Sequence, residues 1–219
     1  MTPRALMDIF REEVSDTVAP YLWSTPLLYA YMSEAQEMFC RLTEGIEDSS
    51  TPSVCRINVA PAADWYPVSP LIRKIRSATR MDTGAPVRLT NMEKAPHEGV
   101  RFDGRPGPLK AFVTGLERHK VRAWPLPSES VVVELSVFRL PLTSITGTSN
   151  DEQFEIDAEH HMALTYWMKH RAYGKEDTET YDRQKAEQFE ARFLRYCEQA
   201  KEEQVRQRHI PGTVVYGGI

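Results

Sequence analysis

The hydrophobic period changes twice along this chain, and that constrains its fold more than any other feature. Up to about Asp48 the apolar residues recur at helical spacing. Leu6, Ile9, Phe10 and Val14 form one set, and Leu27, Leu28, Tyr31, Ala35, Met38, Phe39 and Leu42 a longer one. Each set follows a hydroxyl–proline step, Thr2-Pro3 and Thr25-Pro26, the chemistry of a helix start. Pro20 separates the sets, and Gly45 with the polar run from Glu47 to Ser50 closes the second. From Thr51 to about Asn150 the period is that of strands. Cys55, Ile57 and Val59 alternate with Arg56 and Asn58; Leu109, Ala111 and Val113 alternate with Lys110, Phe112 and Thr114; residues 121–124 and 131–140 are β-branched or aromatic runs. The helical period then returns. Ala158, His161, Leu164, Met168 and Ala172 share a face, with Gly174 suited to the left-handed position after it. Thr178 caps a second helix whose stripe is Ala186, Phe189, Phe193, Cys197 and Ala200.

This order predicts an α+β protein: a helical bundle formed by the N- and C-terminal helix pairs, with an inserted antiparallel β-sandwich or barrel-like lobe. Neither helix pair alone could bury its stripe. Short strands punctuated by proline and glycine, with no crossover helix between them, argue against a doubly wound parallel sheet. The expected divisions are 1–50 and 151–210 for the two halves of the bundle, 51–150 for the lobe and 211–219 for an extended tail.

With 41% hydrophobic and 26% charged residues over 219 positions, the chain can bury a substantial core. A formal net charge of -4 argues against a simple nucleic-acid binder, which needs a basic surface. The N-terminus has no signal-peptide core and no run reaches membrane-span length, so the expectation is a protein made in the cytoplasm with no membrane partner.

Catalytic chemistry finds no foothold, and no metal or cofactor is expected. Cys40, Cys55 and Cys197 are far apart and in apolar phase, the pattern of reduced, inert core thiols. His160 and His161 point about 100° apart on a helix and form no pincer; His161 lies on the apolar stripe and reads as a buried, hydrogen-bonded histidine. There is no GxSxG, Walker loop or GxGxxG. Basic clusters occur at Arg73-Lys74-Ile75-Arg76 and from Arg118 to Arg122. Strand alternation would place Arg73 with Ile75 on one face, and Lys74 with Arg76 on the other. These clusters read as solvated sheet edges or as a patch facing DNA or a partner.

The end of the chain is unusual. Residues 211–219 cannot be helical and are not polar, whereas a solvated terminus is normally both polar and disordered. Such a segment can add a strand to a partner or fill a crevice, with Tyr216 as anchor.

The run from Leu22 to Gln36, a tryptophan followed by a helix start and a small-residue-plus-Gln step, resembles the opening of tailed-phage head-to-tail adaptor (connector) proteins. The run from Phe154 to Met168 resembles their third helix, Ala172 to Thr180 their following turn, and Phe189 and Phe193 the aromatics of their last helix. Thr25-Pro26 departs from the acidic helix start of that pattern. The resemblance implies a non-enzymatic virion protein at the head–tail junction: a homo-oligomeric, dodecameric ring below the portal protein. The ring extends the channel through which double-stranded DNA passes without specific binding, and offers a platform for a tail or nozzle protein. It also implies that Val214, Val215, Tyr216 and Ile219 bind the portal. Two alternatives stand beside it: a tail nozzle or completion protein, and a carbohydrate-binding or enzymatic lobe built around Trp65, Tyr66 and Trp124.

Overall fold

The computed structural model describes residues 1–147, 152–176 and 179–208. The chain divides into two compact units, Met1–Glu44 with Thr143–Ile219, and Gly45–Leu142. Among the described residues the protein is α+β, with five α-helices and a curled, half-barrel sheet.

In the first unit, α1 (Pro3–Glu13) starts as its sequence dictates: the Thr2 hydroxyl accepts from the Ala5 amide at 3.3 Å. The second start differs in detail. α2 (Thr25–Leu42) is preceded by Ser24, whose side chain makes no capping bond. Thr25 is the first helical residue, and its hydroxyl accepts from Arg11 at 3.3 Å. A one-turn helix, α3 (Pro52–Cys55), belongs to the other unit. The expected stripe from Ala158 is interrupted, because Ala158–Ala163 is a 3₁₀ segment that leads into α4 (Leu164–Tyr173). The tighter winding changes the phase, so Ala158 is exposed and His160 as well as His161 is buried. α4 packs against α1, α2 and α5 (Arg183–Arg208). Burial on several sides explains its weak amphipathicity, with Thr165, Trp167 and Lys169 enclosed besides Leu164, Met168 and Ala172. Lys169 is tolerated there because its Nζ lies 2.7 Å from Glu13 Oε2.

Gly174 is not left-handed, as expected from its place after the helix, but helical (φ -80°, ψ -8°). A Cβ there would sit 2.9 Å from the His170 carbonyl oxygen, so the position needs glycine for closeness rather than for handedness. The described start of α5 is capped by Asp182, whose Oδ1 accepts from the Lys185 amide at 3.0 Å; Thr178, the expected cap, lies outside the described residues.

The second unit holds β1 (Ile46–Asp48), β2 (Arg56–Val59), β3 (Trp65–Pro67), β4 (Ile72–Arg80), β5 (Pro86–Asn91), β6 (Pro106–Gly107), β7 (Ala111–Thr114), β8 (Lys120–Trp124), β9 (Leu126–Pro127) and β10 (Val131–Arg139). The main sheet runs β1-β10-β4-β5-β7-β8-β3, with β2 also paired to β10, and β6 and β9 form a small second sheet. Its core gathers Val133, Leu135 and Val137 of β10 with Ile57, Tyr66 and Phe112. Each such side chain stabilises the fold by about 1.5–3 kcal/mol on burial. β1 occupies the stretch whose polarity reads as the end of α2.

The lobe is not wholly antiparallel. β5 and β7 pair in parallel, as do the short β6 and β9. The chain between β5 and β7 is long enough to return without an α-helix. Nor do the basic residues of β4 alternate simply. Its register against β10 shifts between Ser136 and Val137 and between Phe138 and Arg139, leaving Arg76 and Arg73 opposite no partner. Ile72 and Ile75 therefore both pack against the core.

Candidate docking surfaces

The groups with chemical potential are engaged in structure. Burial pushes the Cys197 thiol up to about 12; burial, aided by Asp48, pushes the Cys55 thiol up to about 11. Both stay protonated and unreactive near neutrality. His161 Nε2 lies 2.9 Å from the Ile156 carbonyl oxygen, its ring packs on Phe154 with centroids 4.8 Å apart, and burial lowers its pKa. This is the buried, hydrogen-bonded histidine that the sequence indicates, although its Nδ1 has no partner among the described residues. His160 packs on Phe39 and sets Nδ1 3.0 Å from the Tyr196 hydroxyl. With Asp157 and Glu159 it brings potential ligand atoms within 4.8 Å of one another. Both carboxylates are exposed and Tyr196 holds the ring, so the cluster fits a solvated segment end better than a metal centre.

The residues expected to bind a partner, Val214, Val215, Tyr216 and Ile219, lie outside the described residues. Their root is α5. Ala186, Phe193, Cys197 and Ala200 are buried as its stripe requires, with Phe189 half-buried and stacked on Tyr173 at 6.0 Å. Between Lys201 and Gln207, Gln204 is partly covered, its Oε1 accepting from the Glu44 amide at 3.4 Å, while Val205 is exposed.

A second feature escaped the sequence reading. Arg11 and Asp16 form a buried ion pair at 2.5 Å. Arg11 also donates to the Trp23 carbonyl at 3.0 Å and lies 3.8 Å from the Tyr21 ring centroid, while Asp16 accepts from the Leu22 amide at 2.8 Å. Trp23 is wedged between Phe10 and Tyr173 and donates Nε1–H to the Ala172 carbonyl at 3.3 Å. This clasp fixes a turn that displays Val18, Tyr21 and Leu22, with Val18 77% exposed. Only the proximity of Arg11, Asp16 and Trp23 hints at it in the sequence.

The aromatic residues of the β unit do not form an open platform. Tyr66 is buried, its hydroxyl donating to the Ala63 carbonyl at 2.6 Å. Trp65 and Trp124 are half-buried, and cations lie over their rings: Arg122 at 5.4 Å and Lys110 at 5.9 Å. Arg122 also packs 4.0 Å from Phe102 and is held by Asp64 at 2.9 Å. A sugar would have to displace these contacts, which removes the support for a carbohydrate-binding lobe. The basic run of β4 is likewise engaged in part, Arg76 pairing with Glu47.

The whole chain carries the decisive comparison: residues 1–215 match the family model described as SU10 adaptor protein. The chain belongs to the SU10 adaptor protein family. The kinship with phage head-to-tail adaptors implied by its helix and turn patterns is thus borne out, and the family is one of structural phage adaptors. Comparison with curated proteins gives no match. No described helix is long and apolar enough to cross a membrane.

For this SU10 adaptor family member the net charge of -4 conceals a partition. Met1–Glu44 with Thr143–Ile219 holds 13 basic and 21 acidic side chains, a formal -8; Gly45–Leu142 holds 14 and 10, a formal +4. The adaptor is therefore an acidic helical unit joined to a basic β unit.

Proposed function

We propose that this adaptor works at the head–tail junction of a tailed phage. It forms a homo-oligomeric ring, a dodecamer, below the portal protein, extends the DNA channel and presents a platform to a tail or nozzle protein. The observation that carries the reading is the family match across residues 1–215, which takes in both helical regions and the β region. In this reading α1, α2, α4 and α5 act as one bundle that places residues 211–219, and Val214, Val215, Tyr216 and Ile219 seat in the portal. The uncovered end of α5 supports such a role, since a helix end stripped of packing is free to project a docking segment.

The test is portal capture by the full-length chain against a chain lacking residues 211–219. The truncated protein is expected to keep its circular dichroism and melting temperature and to lose portal binding. Unchanged capture would remove the docking role from these residues.

A further inference from the structure

We infer that the basic flank of the β unit, centred on Arg101 and Arg118, is the docking surface for the acidic helical unit of a second copy of this chain. The inference rests on the ring reading and names the chemistry of its repeating contact.

The positive charge is localised. Residues 86–124 hold eight basic and four acidic side chains, while the remainder of the β unit is balanced at six of each. Within this stretch Lys94, Arg101 and Arg118 are exposed, and none forms an ion pair among the described residues. The flank is also ordered by its own packing. Ala95 and Val100 form a small core with Val113, and Trp124 Nε1–H donates to the Arg101 carbonyl at 2.9 Å. Arg101 lines a shallow cleft beside Phe102 and Trp124. A fixed backbone carrying cations beside partly covered aromatic rings is suited to a protein partner bearing carboxylates.

Charge complementarity selects that partner. The helical unit carries -8, and residues 151–182 alone hold nine acidic side chains against three basic ones, with Glu152 and Asp157 exposed. Duplex DNA is the other polyanion at hand, but it offers no basic surface through which the contact could repeat. Each copy carries both surfaces, so the contact is head-to-tail and repeats from copy to copy, closing into a ring where the rotation allows.

The test is a charge swap in the full-length protein. Sedimentation at low salt is expected to show self-association that weakens as salt rises. The variants R101E/R118E and E152K/D157K should each lose about tenfold in association constant, and an equimolar mixture of the two should recover it, because each reversed surface then meets its complement. All four side chains are exposed, so melting temperatures should match the parent; if a reversal disturbs folding, R101Q/R118Q replaces it and should weaken association less. A parent chain that stays monomeric at low salt, or a mixture that fails to recover, would overturn the proposal. So would an R101E/R118E protein that loses retention on duplex DNA but keeps its self-association. Portal capture measured on the same samples separates the two readings: a monomer that still binds portal sinks only this interface, whereas a monomer that binds none sinks the adaptor ring as well.

Discussion

Among the described residues, each unit of the molecule encloses a buried arginine–aspartate pair, and the two pairs do different work. In the helical unit Arg11 and Asp16 are five residues apart and shape one turn, from which Val18 and Leu22 face solvent. In the β unit Arg139 and Asp48 are 91 residues apart, paired at 2.5 Å, and tie the first strand to the last. Both aspartates are also satisfied by neighbouring groups: Asp16 by the Leu22 amide, Asp48 by the Ser50 and Thr51 amides and the Thr51 hydroxyl at 2.6 Å. A local pair orders a loop that the rest of the unit could survive losing. A distant pair holds the edge strand β1 to its neighbour β10, and removing Asp48 leaves Arg139 buried without its counter-ion.

The comparison predicts unequal costs. Asp48→Ala should destabilise the β unit by about 3–5 kcal/mol, because Arg139 is then buried without its counter-ion. Asp16→Ala should cost less, about 1–3 kcal/mol, since the turn can open and hydrate Arg11. Urea unfolding of the two variants would measure this. Equal losses would break the distinction between a local pair and a distant one.

The same local-versus-distant division governed what the sequence revealed. The start of α1 was legible because Thr2 and Pro3 act on their immediate neighbours. The buried face of α5 was legible because its stripe repeats over several turns. The register shifts at Arg73 and Arg76 were not, because a bulge is a property of two strands and the partner lies some sixty residues away. The parallel pairing of β5 with β7 escaped for the same reason, since turn residues show where a chain reverses but not which strand it rejoins. His160 lies off the apolar stripe of an α-helical period, and the 3₁₀ winding brings it inside. Of the docking surfaces, the charge partition was present in the sequence but hidden in the net value. The Arg11 clasp needed the fold.

Acid should separate the units by pH as well as by magnitude. Burial lowers the His161 pKa below its unfolded value near 6.5. Its neutral form is the one the fold prefers, so the associated stability is present above about pH 6.5 and lost as the pH falls from there toward the folded value. For Asp48, burial alone would raise the pKa, but hydrogen bonds from Thr51, Arg139 and the Ser50 amide outweigh it and hold the carboxyl well below the usual carboxylate range. That contribution persists to about pH 4 and disappears only below it. Helical and sheet signals followed by circular dichroism should therefore weaken in that order, the helical signal first. Replacing His161 with Gln should flatten the loss that begins below about pH 6.5 and leave the step below about pH 4 in place; a profile that keeps both steps would assign the upper one to other groups.

The smallest expected effect tests whether the far end of α5 serves display rather than packing. Val205 is an apolar residue on a helix, yet it is 48% exposed, and its neighbours at 201–203 and 206 are exposed with it. By contrast, Phe193 three turns earlier is fully enclosed. Phe193→Ala should cost about 3–5 kcal/mol through the cavity it leaves, whereas Val205→Ala should change stability by no more than about 0.5 kcal/mol, because no cavity forms where water already reaches. If Val205→Ala nonetheless weakens portal capture or self-association, the exposed end of α5 is a working surface. If it weakens neither, that end serves only to carry the residues that follow it. A loss of stability comparable to that of Phe193→Ala would instead mean that this stretch packs within the free protein, and the contrast along α5 would fall.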